Sequence, residues 1–212
     1  HDIVEGLLFT VQHRIFLVLL GLTFVNGFFG MSYMWLMPVF AEEYLRVDVT
    51  GYGLLLSFGG IGGVIGTLGV ASFGQYQNRA WLLVGGAALF GTSVMLFAVT
   101  SAAFHWFPLA LMLVLSGGFF FSVNQVAAST VLNLLVPDEF RGRVMGMRSL
   151  TWSVAPLGTL LAGSLAELVS TAFAVALGGI MVVLFALLVA GTSPQIRNLR
   201  SMMPDLTAAV EG

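Results

Sequence analysis

Six runs of twenty or more mainly apolar residues take up most of this chain: Ile15–Phe40, Tyr52–Phe73, Trp81–Thr100, Phe107–Leu135, Val144–Leu168 and Ala172–Thr192. A helix of about 20 apolar residues spans roughly 30 Å of hydrocarbon, so each run is long enough to cross a membrane. None alternates apolar and polar residues as a barrel strand would, which leaves helices as the way to satisfy the backbone inside lipid. The alternative, a soluble protein with six buried helices, needs a polar shell. Only 8% of the 212 residues are charged, against about a quarter in soluble domains. The expected fold is therefore all-α and integral to the membrane.

Arginine placement orients the spans. Arg14, Arg79, Arg141, Arg143, Arg148, Arg197 and Arg200 fall at alternate connections, and the opposite side holds only Arg46, beside Glu42, Glu43 and Asp48. The positive-inside rule places the arginine-rich side in the cytoplasm, with both termini there, and a cell membrane is the expected location. Residues 1–14 read as an amphipathic segment lying in the cytoplasmic interface: Ile3, Val4, Leu7, Leu8 and Val11 recur at helical spacing. Residues 15–192 form the six-helix membrane domain, and residues 193–212, interrupted by Pro194 and Pro204, form a cytoplasmic tail. The chain opens on His1, so a processed or truncated form is expected.

The spans divide into two units of three, Ile15–Thr100 and Phe107–Thr192, and the first span of each carries buried polar groups. That echo is of the kind internal repeats leave in transporters.

Polar groups are costly at bilayer depth and face protein or a wet cavity. In the fourth span Gly118, Ser122, Gln125, Ser129 and Asn133 share one face, with Asn124 beside it. The first span offers Thr23, Asn26, Gly30, Tyr33 and Met37, and the fifth offers Arg148, Thr151, Trp152, Ala155 and Thr159. Each residue taken alone reads as a hydrogen bond between neighbouring helices. The three stripes together read as the wall of a shared cavity. Arg148 has two readings, a substrate contact or a side chain reaching back to the headgroups. The last span, Ala172–Ala190, has no polar side chain and is expected to face lipid. In the second span Gly59/Gly63 and Gly62/Gly66 are overlapping small-residue pairs for close helix approach. Pro156 is expected to kink the fifth helix.

Other chemistries lack their residues. There is no cysteine, the histidines are His1, His13 and His105 at interfacial or loop positions, and no HExxH helix occurs, so neither an embedded Ser–His pair nor a metalloprotease site is formed. No metal or other cofactor is expected, and no basic nucleic-acid patch is present. No carboxylate lies near mid-membrane, so a proton-coupling group is not evident.

The run LVPDEFRGRVMGMRSLTWSVAPLGTLLAGSLAE, Leu135 to Glu167, resembles the tenth-to-eleventh helix region of major facilitator superfamily transporters. The opening DIVEGLLFTVQHR, the run NGFFGMSYMWLMPVF, the glycine-rich GYGLLLSFGGIGGVIGTLG and the ending SPQIRNLR are similar to the multidrug and siderophore (enterobactin) exporter-like branch. The loop SFGQYQNRAW departs from the family's acidic-basic signature, keeping only Gly74 and Arg79. The resemblance implies helices seven to twelve, the carboxyl half of a twelve-helix fold, with spans one, two, four and five facing a central cleft and three and six outside. It implies secondary active transport by alternating access, as efflux of drug-like or siderophore-like small molecules. Asn26, Tyr33, Asn124, Gln125 and Trp152 would line this half's wall, joined by the stripe residues Ser129, Arg148 and Thr151. Asp138, Glu139, Arg141 and Arg143 would form a cytoplasmic gate. The expected partners are the small-molecule substrate, the bilayer and an amino-terminal six-helix half. The alternatives are a second copy that pairs with this chain, and a purely structural membrane protein.

Overall fold

A computed structural model of the chain describes residues 14–72, 79–135, 142, 145, 146, 149 and 153–192. All regular structure among the described residues is helical. Five helical segments are long and apolar enough to cross a membrane, and the described part of the fifth span, Ala155–Leu168, is a shorter apolar helix. At 1.5 Å per residue, its 14 residues reach about 21 Å; the remainder of that expected span lies largely outside the described residues. The terminal segments, 1–13 and 193–212, and the expected gate residues Asp138, Glu139, Arg141 and Arg143 also lie outside them.

Local chemistry sets the helix ends. Asp48 accepts a hydrogen bond from the Gly51 N–H at 3.0 Å and caps the second span, Val49–Ser72. Ser170 does the same for the sixth, Thr171–Thr192, through the Phe173 N–H at 3.1 Å. Pro108 lies in the first turn of the fourth span, Phe107–Leu135, where a missing N–H leaves no helical bond unmade. Pro156 is placed likewise. The winding breaks at Val154, whose carbonyl accepts from Leu157 N–H at 3.0 Å, and a helix starts at Ala155. The kink expected at Pro156 is thus a helix boundary.

The first span, Leu17–Tyr44, is not uniformly wound. It runs as α-helix Arg14–Val25, a π-helical turn Asn26–Gly30, α-helix Ser32–Val39 and a second π-turn Phe40–Tyr44. Two clusters form the core: Leu19 and Leu22 with Leu83, Ala87, Ala128, Val131 and Ala186 toward one end, and Tyr33, Met37 and Phe40 with Phe90, Phe97 and Val182 toward the other.

Among the five long described spans the third, Arg79–Phe104, is the most enclosed, packed by the first, fourth and sixth, and the second is the most open. The sixth span buries Ala174, Val175, Gly178, Gly179, Val182, Ala186 and Val189 along one side and leaves Leu184, Leu187 and Leu188 outward. Only one face of that span is thus available to lipid, because its small residues admit the third and first spans on the other. The outward residues of the second and fifth helices, Val64, Leu68, Leu157 and Leu160 among them, are apolar.

Contacts between spans repeat. The second span packs on the fourth as the fifth packs on the first, the third on the fourth as the sixth on the first, and the third and sixth on each other. Exchanging spans one to three with four to six reproduces this set, although the fifth and sixth touch more closely than the second and third do. Three crossings per unit give the two units opposite orientations, as in inverted repeats. Backbone approaches follow the same exchange. Gly62 and Gly66 of the second span rest on the carbonyls of Leu115 and Phe119, while Gly158 of the fifth rests on the carbonyl of Phe28. At the centre Gly91 and Gly179 rest on each other, each lying where a Cβ would come 2.6–2.7 Å from the other's carbonyl oxygen.

Candidate functional site

The polar stripes are satisfied in two different ways. Hydroxyls mostly bond back to their own helix: Thr23 donates to the Leu19 carbonyl at 3.0 Å, Thr130 to Val126 at 2.8 Å and Thr159 to Ala155 at 3.3 Å. Such bonds need no partner helix.

The amides reach between spans. Asn26 Nδ2 donates to Asn124 Oδ1 at 3.0 Å, joining the first and fourth spans, and Asn124 Nδ2 donates to the Leu83 carbonyl of the third. Three spans are thereby tied at one level. Asn26 is 1% exposed and Asn124 2%, and the Asn26 Oδ1 has no donor. Tyr33, seven residues along, is also buried, with its ring 6.2 Å from Phe90 and 6.4 Å from Phe97 in edge-on geometry. The first span's stripe therefore points into the six-helix body in this arrangement.

The fourth span's flank differs. Gly118, Ser122, Gln125 and Ser129 are half-buried, Gly118 and Ser122 against Gly59 and Gly63 of the second span, and Asn133 is exposed at the end. Gln125 Oε1 is buried without a donor. On the first span, Phe24 and Phe28 lie on the side opposite Asn26, stacked at 5.4 Å and 19°, and both are half-buried. Arg148, Thr151 and Trp152 lie outside the described residues, so of the expected cavity set the structure brings together Asn26 and Asn124 directly. Gln125 and Ser129 share the neighbouring face of the same helix, and Tyr33 sits apart in the aromatic cluster.

The second span's small-residue pairs are occupied within the chain. Gly59, Gly62, Gly63 and Gly66 all meet the fourth span, whereas Gly53, Gly60 and Gly69 have nothing within 4 Å of a Cβ position. The sequence reading missed the Gly91–Gly179 contact, whose signal was Gly91 and the doubled Gly178–Gly179 in otherwise plain spans. Among the described residues, no group of three His, Cys, Asp or Glu side chains is arranged to hold a metal.

Residues 19–204 match the family model of the Major Facilitator Superfamily. The chain belongs to the major facilitator superfamily. A curated relative, the "Multidrug efflux pump Tap" of Mycolicibacterium fortuitum, is 32% identical over 170 residues, covering 78% of this chain and 39% of the relative. The chain thus spans about two-fifths of that relative's length. No solved structure matches it. Membership in this family makes the chain a multi-pass membrane protein of a transporter superfamily, not of an enzyme family.

Proposed function

We propose that this chain is one half of a secondary active exporter that moves drug-like or siderophore-like small molecules by alternating access. The supporting observation is its similarity to a multidrug efflux pump, taken with the half-buried polar residues Ser122, Gln125 and Ser129 along one flank of the fourth span. In this reading the open apolar faces of the second and fifth spans receive an amino-terminal six-helix half, and the transport cleft lies between the halves. Gln125 and Ser129, with Arg148, Thr151 and Trp152, line this half's wall, and the stacked Phe24 and Phe28 give an aromatic cargo an apolar platform. Asn26, Asn124 and Tyr33 act in the same wall through the packing of the first span. Asp138, Glu139, Arg141 and Arg143 form the cytoplasmic gate. The protein sits in the cell membrane with both termini in the cytoplasm.

Cell accumulation of a fluorescent amphipathic dye tests the reading. Cells expressing the chain joined to an amino-terminal half retain less dye than control cells, and cells expressing the 212-residue chain alone do not. Equal retention in all three abandons the export reading. Efflux by the chain alone abandons the half-transporter reading in favour of pairing between copies.

A further inference from the structure

The first span changes winding at the point where its only amide side chain is buried. In the π-turn Asn26–Gly30, the Asn26 carbonyl accepts from Met31 N–H at 3.1 Å, five residues on instead of four. A π-turn holds one residue more than the α-winding it replaces. At 3.6 residues per turn, one residue corresponds to a rotation of about 100°. The faces presented before and after the turn are therefore in their present relation only while the turn stays π-wound.

The two sides of the turn are held differently. On the carboxyl side, Tyr33, Met37 and Phe40 are locked among Phe90 and Phe97, with Phe40 and Phe97 rings 4.9 Å apart. The turn's own carbonyls are met from outside: Gly158 rests on Phe28, Gly178 rests on Phe29, and Ser32 Oγ donates to the Phe29 carbonyl at 2.7 Å. At the amino side Leu19 and Leu22 pack among Leu83, Ala128 and Ala186, and the hydrogen bond between spans is Asn26–Asn124. Asn124 has one orientation, because its Nδ2 donates to the Leu83 carbonyl. It must then present Oδ1 to Asn26, Asn26 must present Nδ2, and the Asn26 Oδ1 is left without a donor at 1% exposure. One hydrogen bond favours this register and one unmatched buried acceptor on the same side chain opposes it. That is the balance a two-state element requires.

We propose that Asn26–Gly30 is a register switch in the first span, latched by the Asn26–Asn124–Leu83 chain of amides. With the turn π-wound the latch is closed. With the turn rewound as α-helix, the segment Arg14–Val25 turns about its axis by roughly 100° against a fixed carboxyl side, and Asn26 leaves Asn124. The device deepens the transport reading, on which its role in moving cargo rests; the switch itself is read without cargo.

Relaxation-dispersion NMR on the 212-residue chain in lipid nanodiscs, ¹⁵N-labelled at asparagine and ¹³C-methyl-labelled at methionine, tests it. The Asn26 and Asn124 amides exchange with one shared rate and one shared minor population, while the Met37 methyl group shows no exchange. Deleting Gly27 takes the extra residue out of the turn and leaves both flanks facing as they do now, so exchange at both amides disappears without a lower melting temperature. Should that deletion not fold, Asn124→Ala provides the second arm. It strands both ends of the Asn26 amide in the closed register and raises the minor population at Asn26 about threefold or more. Flat profiles at Asn26 and Asn124 in the parent chain overturn the switch. So does exchange that persists unchanged after the deletion, exchange shared equally by Met37, or an Asn124→Ala chain with the parent's population.

Discussion

Gly91 and Gly179 lie back to back, each against the other's carbonyl oxygen, where the third span crosses the sixth. The contact is reciprocal, as two units related by a pseudo-two-fold axis require at the axis itself. Substituting alanine at either position puts a Cβ 2.6–2.7 Å from backbone that has no rotamer to escape into. Gly91→Ala and Gly179→Ala should each lower stability by about 1–3 kcal/mol, read as thermal unfolding in detergent. Gly85→Ala, with nothing within 4 Å, should leave the melting temperature unchanged or raise it.

The second span gives a similar contrast on one helix. Gly62→Ala drives a Cβ into the Leu115 carbonyl and separates the second span from the fourth, whereas Gly60→Ala points into open space. The former should lower the melting temperature and the latter should not. Equal effects would mean that these spans do not pack through this face.

The asparagine bond should show up as a coupling. A double-mutant cycle with Asn26→Leu and Asn124→Leu should give a coupling of about 0.6 kcal/mol, up to about 1.7. Asn124→Leu alone should cost more than Asn26→Leu alone. It removes the partner of Asn26 and the donor to the Leu83 carbonyl together, whereas Asn26→Leu also disposes of an unmatched oxygen. A cycle that closes to zero would remove the tie between the first and fourth spans.

Much of the fold was legible because lipid leaves a chain few choices. Apolar length gave the spans, and the small pairs Gly59/Gly63 and Gly62/Gly66 gave a close packing face, which proves to meet the fourth span. The sixth span has the outward apolar face expected of it, but an all-apolar sequence carries no polar marker to tell that face from the packed one. Only the positions of its small residues, Ala174, Gly178, Val182 and Ala186, distinguish the two. The π-turn at Asn26 could not be read either: helical periodicity assumes 3.6 residues per turn throughout, and one inserted residue leaves no mark in composition. For the site, the fourth span's stripe was readable as a face, but which polar side chains are consumed by neighbours depends on where three other helices lie. Asn26 and Asn124, from different spans, found each other; Gln125, one residue along the same helix, did not join them.

Topology gives a further expectation. A reporter fused after Thr192 should be active only as a cytoplasmic reporter, and one inserted between Phe104 and Phe107 only as an external one. The arginine distribution supplies the reason, and reversing the pattern would require moving Arg14 and Arg79 to the other side.

In the proposed export function, half-buried polar side chains of the fourth span border a water-filled cleft through which cargo passes. The chain has no cysteine, so single cysteines can be read without background. In membranes carrying the chain with an amino-terminal half, Gln125→Cys and Ser129→Cys should react with a water-soluble thiol reagent, and transported cargo should slow them. Leu184→Cys, on the outward face of the sixth span, should not react. Silence at both fourth-span positions in every condition would contradict the account.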